Sequence, residues 1–486
     1  MIRRNRRFGT VAALALGLLV VSACDSGLTE VNENPNAPEA VPVNNLLLGG
    51  VRDVLQNSGR RGYFGQWTML YHAENWAQHL AQPVYNDEDK YTPRAGVPGD
   101  IWDEMYFALS DLNEAKRLAD GVDDNIWAIA EIMTVYGFMT LTDYFDAIPY
   151  SEALALLDGV SFPAYDAQSV IYPDLIARLT AAAGRIDTGA IITFSAFDPV
   201  YQGDMDGWRR FANSLRLRLA LRMSDASAFS TAWASSTIAS VAGQADIEWQ
   251  PSDPGGNPVY EAIVFGSRPG DFRMSESLID RLAAFSDPRL PIYAQPSQSG
   301  GTYRGLRNGL LPGETVPPTT SNNYSEIGTY FLAAATPSNL LSYAEVLFLG
   351  AEAAELGWIA DDAATLYQAG ITAAMEDTGV APADIATYLG QASVGYTTGT
   401  YQGLDAIHVQ KWIALFLAGP EAFSDLRRTG WDWTTDAGTT GTDLVPAAGG
   451  AIAGFPARLY YPEEEVLLNP NYPGDTQLTD PVWWMN

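Results

Sequence analysis

The sequence predicts a mainly α-helical protein, with helix pairs in one large body from which long loops depart. Three observations carry that prediction. Segment 340–379 reads as two capped helices joined by a short turn. Segment 125–145 is apolar nearly all round, as a helix at the centre of such a body would be. The residues rich in Gly, Pro, Ser and aromatics gather into four long stretches, about 83–98, 250–273, 295–337 and 431–457, and loops of that length are usually functional or disordered.

The first element is a leader. Arg3, Arg4, Arg6 and Arg7 precede the apolar run "VAALALGLLVV" (11–21), which is too short for the roughly 20 residues of a membrane-spanning helix. The run ends in Val20-Val21-Ser22-Ala23-Cys24, the layout of a bacterial lipobox, and Cys24 is the only cysteine in 486 residues. Residues 1–23 are therefore expected to be a signal peptide, and Cys24 a lipidated membrane tether, since two or more acyl chains hold a protein stably. Residues 24–45, rich in Asn, Pro and Glu, are expected to be an extended lead, with 46–486 a single ligand-binding domain.

Charge and cysteine content exclude several functions. The chain carries 28 basic and 58 acidic residues, and loss of the four leader arginines leaves 24 against 58, a net of −34. Such a surface repels nucleic acid. One cysteine allows neither a disulfide within the chain nor a cysteine-based metal site.

The helical elements follow in order. Segments 63–81, 101–120 and 125–145 are long and helix-competent. "SLRLRLALRM" (214–223) has the leucine alternation of a strand, but Phe211, Leu215 and Leu219 behind Trp208 have helical spacing, so 208–224 is assigned to helix. In 340–379, Ser342 and Glu345 form a capping box, Gly357 ends the first helix, Asp361 caps the second and Gly379 ends it. The second helix presents Ala363, Leu366, Tyr367, Gly370, Ile371, Ala374 and Met375 as one face. This pair resembles a tetratricopeptide unit, whose period is ~34 residues. Gly419-Pro420 separates helix 408–418 from helix 421–430, which ends with Arg427, Arg428 and Gly430.

Chemistry other than binding has few signals. His72 and His79, seven apart, would share a helical face but lack a third ligand, so core or surface histidines are expected and no metal site. "YNDEDKY" (85–91) offers Asp87, Glu88 and Asp89 but lacks the glycine and distal glutamate of a calcium loop, and reads as a solvated loop. No nucleophile elbow or phosphate loop is present, and no cofactor or catalytic residue is indicated. A secreted helical carbohydrate-active enzyme with two carboxylates across a cleft stays open as the alternative, as does a surface lipoprotein without a small ligand.

A series of motifs resembles the SusD/RagB family of outer-membrane lipoproteins: "NENPNAP" after the cysteine, "LTDYFDAIPYSEAL" (141–154), "WRRFANSLRLRLALRMS" (208–224), "DPRLPIYA" (287–294), "LLSYAEVLFLGAEAAELGW" (340–358), "QKWIALFLAGPEAFSDLRRTG" (410–430) and "RLYYPEEEVLLNPNY" (458–472). The resemblance implies a SusD-like fold at the cell surface. It also implies capture of an oligosaccharide or peptide and delivery to a TonB-dependent, SusC-like barrel transporter. The motifs themselves read as structural: Asp143, Tyr144, Asp146, Pro149 and Tyr150 as a turn, Arg427 and Arg428 as a helix end paired with acids.

A site for sugars or peptides combines exposed aromatic planes with a few hydrogen-bonding side chains. The loop candidates are Trp76 and Tyr85 at the end of an early helix, and Tyr91 and Arg94 beyond it. Tyr260, Phe265 and Arg268 lie in 260–272, and Tyr303, Tyr324 and Tyr330 in the excursion before the capped pair.

Overall fold

The computed structural model describes residues 41–56, 69–190, 192–251, 255–266, 268, 270–311, 314, 316, 321–430, 444, 446–447 and 449–485. Cys24, the leader and the tether up to residue 40 lie outside them, as do 63–68 and parts of the long loop segments.

The first helix, α1 (Val43–Gln56), starts inside the stretch expected to be tether. Leu47, Val51 and Val54 recur at helical spacing and are fully buried. They pack on α2 (Gly96–Ala119), and at Gly50 a Cβ would lie 2.5 Å from the Leu112 side chain, so only glycine permits the approach. α2 continues through a short connection into α3 (Asp124–Phe145), whose cap Asp123 accepts hydrogen bonds from the Asn125 and Ile126 N–H groups. Almost every residue of α3 is buried, as its apolar circumference requires. The series goes on through α4 (Gln168–Arg185), α5 (Met205–Arg222) and α6 (Ala226–Trp233), each packed on the one before.

The strand-like alternation of 214–223 has a physical explanation. α5 is buried on all sides, so Leu215, Leu217, Leu219 and Leu221 meet apolar neighbours in several directions. Two arginines of the same run are neutralised inside the protein. Arg218 pairs with Glu345 (2.7 Å) and Glu421 (3.2 Å), and Arg222 with Asp143 and Glu421 (both 2.5 Å).

Two large apolar clusters form the core, one around α1–α6 and the C-terminal Val482 and Trp484. The other surrounds α7 (Glu276–Ala284), α8 (Tyr343–Glu355), α9 (Ala363–Asp377), α10 (Pro382–Leu389) and α11 (Leu404–Ala414). α12 (Gly419–Thr429) gives Phe423 to the first and Ala422 and Leu426 to the second. The arginines of α5 thus tie α3 to α8 and α12 across the boundary. A last short helix, α13 (Glu463–Leu468), follows.

The α8–α9 pair has the expected form with two shifts. Ser342 Oγ accepts from the Glu345 N–H (3.1 Å), but the Glu345 carboxylate, instead of completing the capping box, takes the Arg218 guanidinium. Asp362 rather than Asp361 caps α9, through the Thr365 N–H (2.8 Å), and Asp361 accepts from the Trp233 indole (3.1 Å). Gly357 (φ +74°) closes α8 as predicted: its own N–H reaches Ala354 O and that of Trp358 reaches Ala353 O. Gly370 fits against the Phe348 ring, where a Cβ would sit at 2.8 Å. Helix 408–418 ends early, at Ala414, and Pro420 stands in the first turn of α12 as expected.

At the end of α12 the two arginines part ways. Arg428 pairs with Glu352 (2.6 Å) and Asp425 (2.9 Å), as the sequence suggests. Arg427 has no such acid partner among the described residues. It donates to the Asp143 and Ala457 carbonyls over the Phe423 ring, and burial pulls its pKa down to about 10.

Candidate functional site

The loop-rich side is assembled by short pairings of distant segments. The predicted helix 63–81 gives a π-helical turn, Met69–Glu74, and stops soon after, because Gln78 turns to φ +56° and Leu80–Ala81 form strand β1. β1 pairs antiparallel with Arg273–Met274, and Leu306 then adds beside Ser275. The Asn308 amide donates to Leu80 O (2.8 Å) and Asp89 Oδ1 (2.6 Å), its oxygen accepts from Ser275 Oγ (2.6 Å), and Gly309 N donates to Asp89 Oδ2 (2.8 Å). Met274 N reaches Ser325 O (2.9 Å). One buried knot therefore brings together the loops that follow residue 81, precede residue 273 and lie between 303 and 325.

The knot corrects the solvated reading of 85–91. Asp87 is exposed, but Glu88 and Asp89 are buried, and burial pushes the Asp89 carboxyl up to about 7 despite the N–H groups around it.

The candidate residues divide by position. Trp76 and Tyr91 belong to the core, contrary to the expectation that they face ligand: Trp76 is fully buried with its indole donating to Glu88 O (2.8 Å), and Tyr91 OH accepts from Ala447 N (3.1 Å). They pin the loop to the body. Arg94 holds the buried Glu88 through two contacts (2.7 and 3.1 Å). Tyr260 and Tyr303 are half-buried; Tyr260 packs beside Gly256 and Tyr303 against the second core cluster.

Tyr85 and Phe265 are 54 % and 57 % exposed, and the Arg268 guanidinium stands 5.2 Å from the Tyr85 ring centre, steadied by Asp271 (2.8 Å). On the adjoining loop Arg304 stacks over Tyr324 at 4.9 Å. Arg304, which the sequence reading did not select, is exposed; its only signal was its position next to Tyr303. Tyr85, like Gln78 and Tyr91, has a positive φ, of 56°. Backbone of this kind costs on the order of 1 kcal/mol per residue and gathers at ligand sites. Tyr330 lies elsewhere, at a cavity beside α8 and α9.

His72 and His79 are both buried but share no helical face. His72 packs among Trp76, Tyr144 and Phe423, and burial lowers its pKa well below the usual value, while His79 lies between Glu74 and Trp412 O (3.0 Å each). Among the described residues no three His, Cys, Asp or Glu side chains group as metal ligands. For the glycosidase alternative, Asp246 and Asp377 are notable acids, and one Gln244 amide reaches both (2.9 and 2.6 Å), so the two carboxylates share a single donor. No helix among the described residues is long and apolar enough to cross a membrane.

A helical scaffold carrying a rigid knot of loops with outward aromatic and guanidinium groups is the build of a binding protein. Residues 47–462 match the SusD-like family described as "Starch-binding associating with outer membrane", and the chain belongs to that family. Its fold is similar to a solved chitin-binding protein at 26 % identity (TM-score 0.77), over 91 % of this chain and 99 % of that one. A chitin-binding SusD homologue from Flavobacterium johnsoniae superposes at 24 % identity (TM-score 0.77; 91 % and 98 % covered), and a SusD homologue from Bacteroides uniformis at 22 % (TM-score 0.76; 91 % and 99 %). No match was found among curated protein sequences.

Proposed function

We propose that this protein is a cell-surface lipoprotein, tethered through Cys24, whose residues 46–486 form one binding domain that captures an oligosaccharide and hands it to a TonB-dependent, SusC-like barrel in the outer membrane. Family membership and the chitin-binding relative support a glycan ligand. The observation that carries the site assignment is the exposure of two rings, Tyr85 and Phe265, on loops fixed by the Asn308 knot, with Arg268 beside Tyr85 and Arg304 over Tyr324 on the adjoining loop. An aromatic face receives the apolar face of a sugar ring, and the guanidinium groups donate to its hydroxyls. The role is binding without catalysis.

A screen of oligosaccharides, including chito- and malto-oligomers, and of peptides on the mature chain tests this reading. Retention of an oligosaccharide that is recovered intact is the expected result. Binding of peptides alone overturns the ligand class, and release of shortened products overturns the non-enzymatic role.

A further inference from the structure

A cavity of about 170 Å³ lies away from the aromatic loops, between α8, the end of α9 and the turn before α12. It is slightly larger than a ~150 Å³ cavity known to admit benzene, so it has room for one six-membered ring. One wall is aromatic: Phe416 stacks on Tyr293 (4.8 Å) and meets the edge of Phe331 (5.1 Å), and Tyr330 stands 40 % exposed. The polar lining is acidic. Glu74 lies buried, and Asp246 and Asp377 are half-buried. Arg218 also borders the space but is occupied by Glu345 and Glu421.

Two details show that positive charge is wanting. Glu74 is 1 % exposed, and its Oε2 contacts His79 (3.0 Å), yet Oε1 has no hydrogen-bond partner. Buried carboxylate oxygens are ordinarily satisfied. Gly419, another lining residue, packs against that oxygen, and a Cβ there would come within 2.6 Å of it. Neither Asp246 nor Asp377 has a salt-bridge partner among the described residues; their contacts are the neutral amides of Gln244 and Asn339.

We propose that this cavity is a second binding site, for a protonated primary amine carried on a body the size of one sugar ring, as in an amino sugar. The ammonium group supplies the donor that Glu74 Oε1 lacks, the two aspartates draw the cation in, and the ring lies against the aromatic wall. A neutral sugar offers no charge to offset the carboxylates. The site stands apart from the Tyr85 loops and does not rest on the function proposed for them.

Calorimetric titration of the mature chain with D-glucosamine, D-glucose and N-acetyl-D-glucosamine, at a pH of about 7 where the free amine is still largely charged and Asp246, its carboxyl pushed up to about 7 by burial, is partly ionised, tests the proposal. Glucosamine is expected to bind at least about tenfold more tightly than either neutral sugar, and Glu74→Gln and Asp246→Asn each to weaken it by roughly tenfold. Equal binding of the three sugars, no glucosamine binding, or undiminished binding by folded variants overturns the proposal. Preference for Nα-acetyl-lysine amide over glucosamine overturns the assignment of a ring-shaped body. If Glu74→Gln fails to fold, the half-buried Asp246→Asn carries the same test.

Discussion

Replacing Arg222 by methionine tests whether the buried charges hold the helices of the two core clusters together. Arg222 is 2 % exposed and holds Asp143 of α3 and Glu421 of α12, both at 2.5 Å. After its removal Glu421 keeps Arg218 at 3.2 Å, whereas Asp143 keeps only neutral donors on its carboxylate, the Tyr172 hydroxyl and the Trp484 indole. Methionine fills much of the space, so the loss is chiefly that of a buried carboxylate left without an ion-pair partner and offset only by the more distant Arg427 charge, about 3 kcal/mol. Burial already raises the Asp143 pKa against the pull of Arg222, and without that pull it rises further. The folded variant therefore holds a proton that the unfolded chain releases, and its deficit widens as pH rises from ~4 towards neutrality. Guanidinium unfolding followed by tryptophan fluorescence at pH 5 and pH 8 measures both effects. Asp143→Asn in the same chain should recover part of the loss, since an amide oxygen still accepts from Tyr172 and Trp484. A single variant within about 1 kcal/mol of wild type, or a double variant less stable than the single one, would show that Asp143 does not depend on Arg222.

Asp89, with its carboxyl raised to about 7, is protonated more fully in the folded than in the unfolded chain between pH ~4 and 7, so it removes about 1.4 kcal/mol of stability per pH unit over that window. Asp89→Asn should flatten the pH dependence there, as read by denaturant midpoints, and an unchanged slope would contradict the assignment. Gly370→Val should destabilise by roughly 1–3 kcal/mol, because its Cβ meets the Phe348 ring at 2.8 Å; a melting temperature equal to wild type would show that the ring can yield. Cys24→Ser should abolish metabolic labelling by a palmitate analogue and free the protein from membranes, and persistent labelling would locate the acyl chains elsewhere.

The helices were legible because their period and caps are local signals. Gly357, Gly379 and the face of α9 from Tyr367 to Met375 could be read from spacing alone, and so could the central burial of α3. The same locality limits the reading. Glu345 has the right spacing for a capping box, yet an arginine 127 positions earlier takes its carboxylate. The helix after residue 69 breaks because β1 finds its partner at 273–274, nearly two hundred residues away. The loop aromatics show the same limit. Nothing near Trp76 or Tyr91 distinguishes them from Tyr85; the difference is that Glu88 O and Ala447 N reach the first two, and the second of those contacts spans 356 positions. The acidic cavity beside α8 escaped notice because Glu74, Asp246 and Asp377 come from three separate segments.

The proposed capture of an oligosaccharide by exposed rings on the knotted loops is open to direct measurement. Titrating the mature chain with chitohexaose and maltoheptaose, in wild-type form and as the Tyr85→Ala/Phe265→Ala double variant, tests it most directly. Each stacked ring contributes on the order of 1 kcal/mol, so the account predicts that the double variant folds normally and binds roughly tenfold or more weakly to whichever oligosaccharide the wild type takes. A folded double variant with wild-type affinity would contradict it.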